Sequence, residues 1–187
     1  MSKCWSSFCG KLLRLMGWTI VGGPVPEKKA VILGVPHTSI WDFVVSYLFY
    51  TSFHAQKARV MVKKEFFIWP FGSLMRSMGA IPVDRSNATA LVRSLITEME
   101  KDDEFILAIA PEGTRKPVRH WKTGFHTIAR EAGVPVYLGF FDWGKKEVGC
   151  GKRFTLTEDA RADMTSIQQI YEEMGIRGKH PEKFITR

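Results

Sequence analysis

His37 and Asp42 are two side chains of this sequence that could perform acid–base chemistry together. They lie five residues apart, a spacing that turns side chains away from each other on a continuous helix. They can meet only if His37 lies in a turn and Asp42 lies in the first turn of the helix that follows. A carboxylate that holds one imidazole nitrogen leaves the other nitrogen free to act as a general base. The alternative is a capping box, in which Ser39 caps the helix and Asp42 is its acidic partner. The residues alone leave both interpretations open.

A second group of residues has the chemistry to bind an anion. Residues 104–110 read EFILAIA, which predicts a buried strand, and the motif PEGTR follows directly. Its glycine lets the backbone approach a ligand, and Arg115 can donate hydrogen bonds to two phosphate oxygens at once. The alternative is an ordinary turn with a surface ion pair. Arg85 and Lys63 follow two other predicted strands, so they could add to the same positive field, or they could be solvated loop residues.

The segments that must position these residues alternate between strands and helices. Apolar runs predict strands at residues 30–35, 58–62, 80–83, 104–110, 134–141 and 148–156. Helices are predicted at residues 40–53, from a cap at Ser86 or Asn87 to about residue 101, at 123–132, and at 166–174 after a capping box at Thr165 and Gln168. Residues 175–187 are expected to form a polar tail.

This alternation predicts one α/β domain with a mostly parallel central sheet flanked by helices. Ligands of such sheets bind at the carboxyl ends of the strands. His37, Arg115 and Arg85 each follow a predicted strand, so we expect them at one edge of the sheet.

The N-terminal residues 1–21 predict an amphipathic helix that precedes the α/β domain at residues 22–187. An apolar stripe at helical spacing is opposed by a polar face that carries basic residues. The stripe contains Trp5, Phe8, Cys9, Leu12 and Met16, and the basic residues are Lys3, Lys11 and Arg14. Such a helix either lies in a membrane interface or packs on its own domain, and the pattern leaves both open. Residues 66–71, FFIWPF, form a second apolar segment that could contact a membrane.

Composition narrows the class of protein and of partner. The chain has 187 residues, 45% hydrophobic and 25% charged, which excludes collagen-like, disordered and coiled-coil classes. Its 27 Lys and Arg against 19 Asp and Glu give a net charge of +8, which indicates a negatively charged partner or substrate. Three cysteines without a CxxC motif predict neither a disulfide framework nor a zinc site.

Four motifs occur in a fixed order along the chain: H-x4-D at residues 37–42, GAIPVDR at 79–85, PEGTR at 111–115 and VPV at 134–136. This set resembles the four motif blocks of the glycerolipid acyltransferases, the 1-acylglycerol-3-phosphate acyltransferase family. The resemblance covers more than half of the chain and includes the run Lys63-Lys64-Glu65. The sequence departs from the usual family pattern at Pro36, Ala110 and Lys116.

The resemblance implies a role for each motif. His37 would be the general base and Asp42 its orienting partner, while Pro135 would mark the block that shapes the acyl site. The residues predicted to bind the acceptor's anion are Lys63, Arg85, Glu112, Gly113, Thr114 and Arg115.

The implied reaction is transfer of a fatty acyl group to the hydroxyl of a phosphate-bearing lysolipid such as 1-acylglycerol-3-phosphate. The donor would be the thioester of coenzyme A or of acyl carrier protein, with no other cofactor and no metal. The sequence has no G-x-S-x-G motif and no cysteine beside a candidate base, which favours direct transfer without an acyl-enzyme. The expected partners are membrane lipids and the lysolipid acceptor. The expected location is the cytoplasmic face of a membrane, as a peripheral, monotopic protein.

Two other classes of function are compatible with the same residues. A lipid thioesterase or hydrolase could use His37 and Asp42 with water in place of an acceptor. A non-catalytic basic module could bind an anionic membrane, or could stack Phe66, Phe67 and Trp69 on nucleic-acid bases. No RNA-binding or helix-turn-helix pattern accompanies these aromatic residues, so nucleic acid is not an expected partner. His54, His120, His126 and His180 are expected to be structural or surface residues.

Overall fold

The computed structural model describes residues 3–53, 58–84 and 86–186. A seven-stranded sheet forms its centre. In chain order the strands are β1 (Thr19–Gly22), β2 (Lys29–Val35), β3 (Ala58–Lys63), β4 (Ala80–Val83), β5 (Phe105–Ile109), β6 (Val136–Asp142) and β7 (Glu147–Phe154). The helices are α1 (Lys3–Leu15), α2 (Trp41–Ser52), α3 (Phe71–Ser77), α4 (Ala88–Lys101), α5 (Gly124–Glu131) and α6 (Ala160–Met174).

The order of the strands decides where the candidate residues meet. The sheet has the order β1-β7-β6-β2-β5-β3-β4. Strands β6, β2, β5, β3 and β4 are all parallel, whereas β7 pairs antiparallel with β6 and β1 runs parallel to β7. The carboxyl ends of five adjacent strands therefore lie along one edge. The fold class predicted from the sequence, an α/β domain with a mostly parallel sheet flanked by helices, is confirmed.

Two hydrophobic cores cover the two faces of the sheet. Helices α4, α5 and α6 pack on one face, and α1 and α2 pack on the other. Strand β2 serves both cores, because Val31 and Leu33 face one and Ala30 and Ile32 face the other. This explains why the strand reads as a continuous apolar run.

The N-terminal helix is shorter than its spacing predicted, because it ends at Leu15 and not near Val21. Gly17 adopts a left-handed conformation with φ of +82°, and the Trp18 N–H donates to the Leu13 carbonyl, as in a Schellman motif. The next residues, Thr19–Gly22, form strand β1 against β7. Thr19, Ile20 and Val21 are β-branched and favour a strand. The helical spacing of the apolar residues before them led to the prediction of a helix through residue 21.

The C-terminal helix also differs from its prediction, because α6 begins at Ala160 and not at residue 166. Asp159 is its N-cap and accepts the N–H groups of Arg161 and Ala162. The Thr165 hydroxyl, predicted to cap the helix, donates to the Arg161 carbonyl inside it. Residues 175–186 are not merely a polar tail: Ile176 is buried, and the Trp121 indole N–H donates to the Ile185 carbonyl at 3.1 Å.

Candidate active site

His37 and Asp42 meet in the connection between β2 and α2. His37 lies in the turn after β2, and Asp42 lies in the first turn of α2. Their Nδ1 and Oδ2 atoms are 3.6 Å apart. The Asp42 side chain is only 1% exposed, whereas that of His37 is 29% exposed and open to a substrate. Among the described residues, none forms a hydrogen bond with Nε2 of His37, which is therefore available to take a proton.

The Asp42 carboxylate also holds the turn together. Its Oδ2 accepts the backbone N–H of Thr38 at 2.8 Å and that of Ser39 at 2.7 Å. The Ser39 hydroxyl accepts the Trp41 N–H at 3.2 Å. Asp42 therefore accepts the Ser39 N–H, as the capping alternative predicted, and faces His37 with the same oxygen, but the observed N-cap of α2 is Ile40 and not Ser39. The two interpretations of the spacing are compatible.

Glu112 follows β5 and lies against the backbone of His37. Its Oε1 accepts the His37 N–H at 2.8 Å, and the residue is 6% exposed. Its Oε2 is buried and has no hydrogen-bond partner among the residues that the structure describes. Burial raises the pKa of Glu112 to about 7, although the hydrogen bond from the His37 N–H acts in the opposite direction. The resemblance assigned Glu112 to the acceptor's anion, whereas the described contacts connect it to the β2–α2 connection at residues 36–40, hereafter the histidine loop.

The remainder of PEGTR forms an open loop. Gly113 has φ of +66°, a left-handed conformation that favours glycine, and a Cβ there would displace the flexible end of the Lys122 side chain, 2.9 Å away. The Thr114 hydroxyl accepts the Lys116 N–H at 3.2 Å, and Arg115 is exposed. Arg115 is thus available to an anion at the sheet edge that carries His37.

The basic residues after β3 and β4 differ in their availability. Lys64 forms an ion pair with Asp84, which also accepts the Ser86 N–H at 2.9 Å. These bonds hold the pKa of the Asp84 carboxyl below its usual range. Lys63 is exposed at the carboxyl end of β3. Arg85, the other predicted anion-binding residue, lies outside the described residues.

Trp143 is a residue of this site that the sequence did not single out. It directly follows β6, and its indole N–H donates to Oδ1 of Asp42 at 2.7 Å. The signal that could have identified it is its position at the end of a buried strand, the same position that identified His37 and Glu112.

Among the remaining histidines, His126 is buried and pairs with Asp163 at 3.1 Å, which joins α5 to α6. His54 lies outside the described residues. Within the described ranges, no three His, Cys, Asp or Glu side chains form a group that could hold a metal ion.

Comparisons with known proteins identify the family of this chain. The family model described as Acyltransferase matches residues 8–137, most of the chain. A comparison with curated protein sequences gave no significant match. The fold is similar to the crystal structure of the 1-acyl-sn-glycerophosphate (LPA) acyltransferase, PlsC, from Thermotoga maritima, with a TM-score of 0.58 and 17% identity over 95% of this chain and 80% of that one. The extent of the family match shows that this chain belongs to the Acyltransferase family.

Proposed function

We propose that this protein transfers a fatty acyl group from a thioester donor to the hydroxyl of a phosphate-bearing lysolipid such as 1-acylglycerol-3-phosphate. The observation that carries the proposal is the His37–Asp42 pair, 3.6 Å apart at the strand edge of a chain that belongs to the Acyltransferase family. The lysolipid is inferred from the motif resemblance and from the Thermotoga maritima protein, a 1-acyl-sn-glycerophosphate acyltransferase of similar fold.

In the proposed mechanism, His37 is the general base. Asp42 beside Nδ1 favours the imidazole tautomer with its proton on that nitrogen. Nε2 then takes the proton of the acceptor hydroxyl while the oxygen of that hydroxyl attacks the thioester carbonyl. When the tetrahedral intermediate collapses, the C–S bond breaks and the imidazolium returns the proton to the leaving thiolate. The products are an ester and a free thiol, and the only co-substrate is acyl-CoA or acyl carrier protein.

The cysteines support direct transfer without an acyl-enzyme. Cys150 is buried, and burial raises the pKa of its thiol to about 12, which makes a thiolate scarce at neutral pH. Cys9 is also buried, and burial raises the pKa of its thiol. Cys4 is exposed on α1, a helix that packs on α2.

A cavity between α2 and the first residues of β3 and β4 offers space for an acyl chain; neither His37 nor Asp42 is among the residues that line it. It has a volume of about 330 Å³, within the range of small-ligand sites, and runs along α2 from Phe43, the residue after Asp42, to Thr51. The opposite wall is formed by the first residues of β3 and β4, including Val60 and Ile81.

The test of the proposed function is a matrix of acyl donors and acceptors with mass-spectrometric identification of the products. Acceptor-dependent formation of an acylated lipid is expected. Release of free fatty acid without dependence on an acceptor would instead identify a thioesterase. No turnover with any donor would favour a non-catalytic binding module.

The acceptor's anion is predicted to bind Arg115 and Lys63, together with Arg85. Arg115→Ala and Lys63→Ala are each expected to raise the acceptor KM about tenfold or more and the donor KM less, since a hydrogen bond to a charged group contributes about 1.5–3 kcal/mol. Arg115→Lys should restore only part of the affinity, because lysine lacks the planar fork. Steady-state kinetics in both substrates would measure this.

Lys101→Ala is the control for this prediction. It removes the same charge from the end of α4, which leads into the amino end of β5 at the opposite edge of the sheet. A rise in the donor KM alone would assign Arg115 and Lys63 to the phosphates of the donor.

We also propose that the protein docks on the cytoplasmic face of a membrane without spanning it. Helix α1 buries Cys9 and Leu13 against α2 and leaves Trp5 and Phe8 exposed. An aromatic patch at the β3–α3 connection, consisting of Phe66, Ile68, Trp69, Phe71 and Leu74, is also exposed, with Trp69 at 91%. In the described part of the chain, no helix has both the length and the apolar character needed to cross a bilayer.

Each of the two apolar surfaces adjoins a residue that lines the cavity. Trp5 donates to the Tyr47 hydroxyl at 3.2 Å, and Tyr47 lines the cavity together with Ser77 at the end of α3. Exposed Lys3, Lys11 and Arg14 on α1 would face anionic headgroups, at about 1 kcal/mol for each basic residue near the surface. Docking through both surfaces would bring the cavity to the lipids that supply the acceptor.

A Trp5→Glu, Phe8→Glu variant and a Trp69→Glu, Phe71→Glu variant are each expected to lower binding to phosphatidylglycerol-containing vesicles more than tenfold. Burial of one large apolar side chain contributes about 1.5–3 kcal/mol, and each variant removes two. Co-sedimentation at low and high salt would measure the binding. Deletion of residues 1–21 is a poor test because it would also remove buried Leu13 and Trp18 from the core.

Val21→Glu, at an exposed position of β1, is the control for added negative charge. Equal sedimentation of all variants would contradict this mode of docking, and binding to neutral vesicles that persists at high salt would contradict the contribution of the basic residues.

A further inference from the structure

The buried carboxylate of Asp42 is held by three hydrogen-bond donors from two parts of the chain. Two are the backbone N–H groups of Thr38 and Ser39, which bond to Oδ2, the oxygen that faces His37. The third is the indole N–H of Trp143, which bonds to Oδ1 at 2.7 Å. The indole bond therefore restrains the carboxylate from the side opposite to the histidine.

The Trp143 ring is itself fixed in place. The ring of Trp18 meets it edge to face, with 4.9 Å between ring centroids and 84° between planes. The amino groups of Lys146 and Lys179 lie 4.9 and 4.8 Å from its centroid. The backbone N–H of Trp143 donates to the Arg177 carbonyl at 2.8 Å. A ring held in this way can position the group to which it donates.

Residues 177–180 contact both Trp143 and the histidine loop, and so connect the two. The Arg177 N–H donates to Oδ1 of Asp142, the residue before Trp143, at 3.3 Å. Gly178 packs on the histidine loop so closely that a Cβ there would lie 2.7 Å from Cγ2 of Thr38. The His180 N–H donates to the Thr38 hydroxyl at 3.3 Å. Trp143 and this segment lie beyond residue 137, where the match to the family model ends.

We propose that Trp143 is a positioning residue of the reaction: its indole N–H fixes Asp42 so that Oδ2 faces Nδ1 of His37. The inference rests on the proposed role of His37 as the base. It adds a residue that no motif block contains, and it assigns a function to the contact between the C-terminal segment and the sheet edge.

The physical consequence concerns the basicity of the carboxylate. Without the indole N–H, Oδ1 stays buried and loses a donor, so the Asp42 carboxylate holds a proton or an imidazolium more strongly. Among the described residues, the other charged or titratable groups near it are His37, Glu112 behind the His37 backbone, Lys146 and Lys179 on the Trp143 ring, and Asp142 and Arg177 next to Trp143. A more strongly held imidazolium would keep His37 protonated, and thus inactive as a base, up to a higher pH.

The test is Trp143→Phe, which keeps an aromatic ring beside Trp18 and removes the N–H donor. We expect kcat to fall about tenfold, since a lost hydrogen bond to a charged group corresponds to about a ten- to hundredfold change. We also expect the acidic limb of the pH profile of kcat/KM to move to higher pH, with little change in either KM. Trp121→Phe is the matched control, because its buried indole N–H donates to the Ile185 carbonyl and not to Asp42. It is expected to lower the Tm and to leave the pH profile unchanged.

The outcomes separate this inference from the proposed function. Full activity of His37→Ala would overturn both. An inactive His37→Ala together with an unchanged kcat and pH profile in Trp143→Phe would overturn the positioning role alone, as would a loss of kcat without a shift of the acidic limb. If Trp143→Phe does not fold, the same profile is measured with 3-benzothienylalanine at position 143, which keeps the shape of tryptophan and replaces its N–H with sulfur.

Discussion

Replacement of His37 by alanine is expected to lower kcat by about two to four powers of ten, the usual contribution of a positioned general base. The variant should remain folded, because the His37 side chain is partly exposed and its backbone N–H, which donates to Glu112, is retained. Initial rates at saturating donor and acceptor would measure kcat, and circular dichroism would check the fold. His120→Ala, at an exposed position of the loop after PEGTR, is the control and should leave kcat unchanged.

Asp42→Asn extends the same prediction to the partner of the base. The variant should lose activity because an amide no longer favours the productive tautomer. It should also lose about 1–3 kcal/mol of stability. Both oxygens of Asp42 accept N–H groups, and the asparagine NH₂ group would replace one of these oxygens and face a donor. From the sequence, this substitution is expected to be mild in structure, whereas the three donors around the carboxylate indicate a structural cost as well. Wild-type kcat in both His37→Ala and Asp42→Asn would remove His37 from the role of base.

Glu112→Gln is expected to change how the stability of the protein depends on pH. The pKa of Glu112 rises from 4.5 to about 7 on burial, so between these values the folded chain binds more protons than the unfolded one. The contribution of Glu112 to the unfolding free energy must therefore fall as the pH rises from about 4.5 to 7, and this loss is complete above pH 7. At about 1.4 kcal/mol for each pKa unit, this single carboxyl accounts for a loss of about 3 kcal/mol.

The variant removes this titration while its amide carbonyl can still accept the His37 N–H. The difference in unfolding free energy between Glu112→Gln and wild type should thus shift by about 3 kcal/mol in favour of the variant across this pH range. Urea unfolding at a series of pH values would measure it. Glu158→Gln is the control, because Glu158 is exposed and its bond to Arg130 lowers its pKa, the opposite direction. Parallel pH profiles for wild type and Glu112→Gln would show that Glu112 is not a desolvated carboxyl in the folded protein.

The first and last residues of several helices and strands could be predicted from local sequence patterns. Strand β4 was predicted at residues 80–83 and is observed at Ala80–Val83, and α4 has the N-cap Asn87 and the last residue, Lys101, that the sequence indicated. Apolar runs and capping residues act within a few positions of the chain, so they can be read without the fold. The same patterns misled where two local signals competed, as at the end of α1, where Gly17 and strand β1 interrupt a helical spacing.

The sequence by itself determined the α/β class, the sheet edge that carries the candidate site, and the identity of His37, Asp42 and Arg115 as candidates, because each follows a strand whose apolar pattern is local. Only the tertiary structure decided that Glu112 bonds to the backbone of His37, 75 positions away, and that Trp143 bonds to Asp42, 101 positions away. It also decided that His180 reaches Thr38 across 142 positions. These contacts depend on strand order and register, which bring β5, β2 and β6 side by side, and no periodicity within one segment encodes which strands become neighbours.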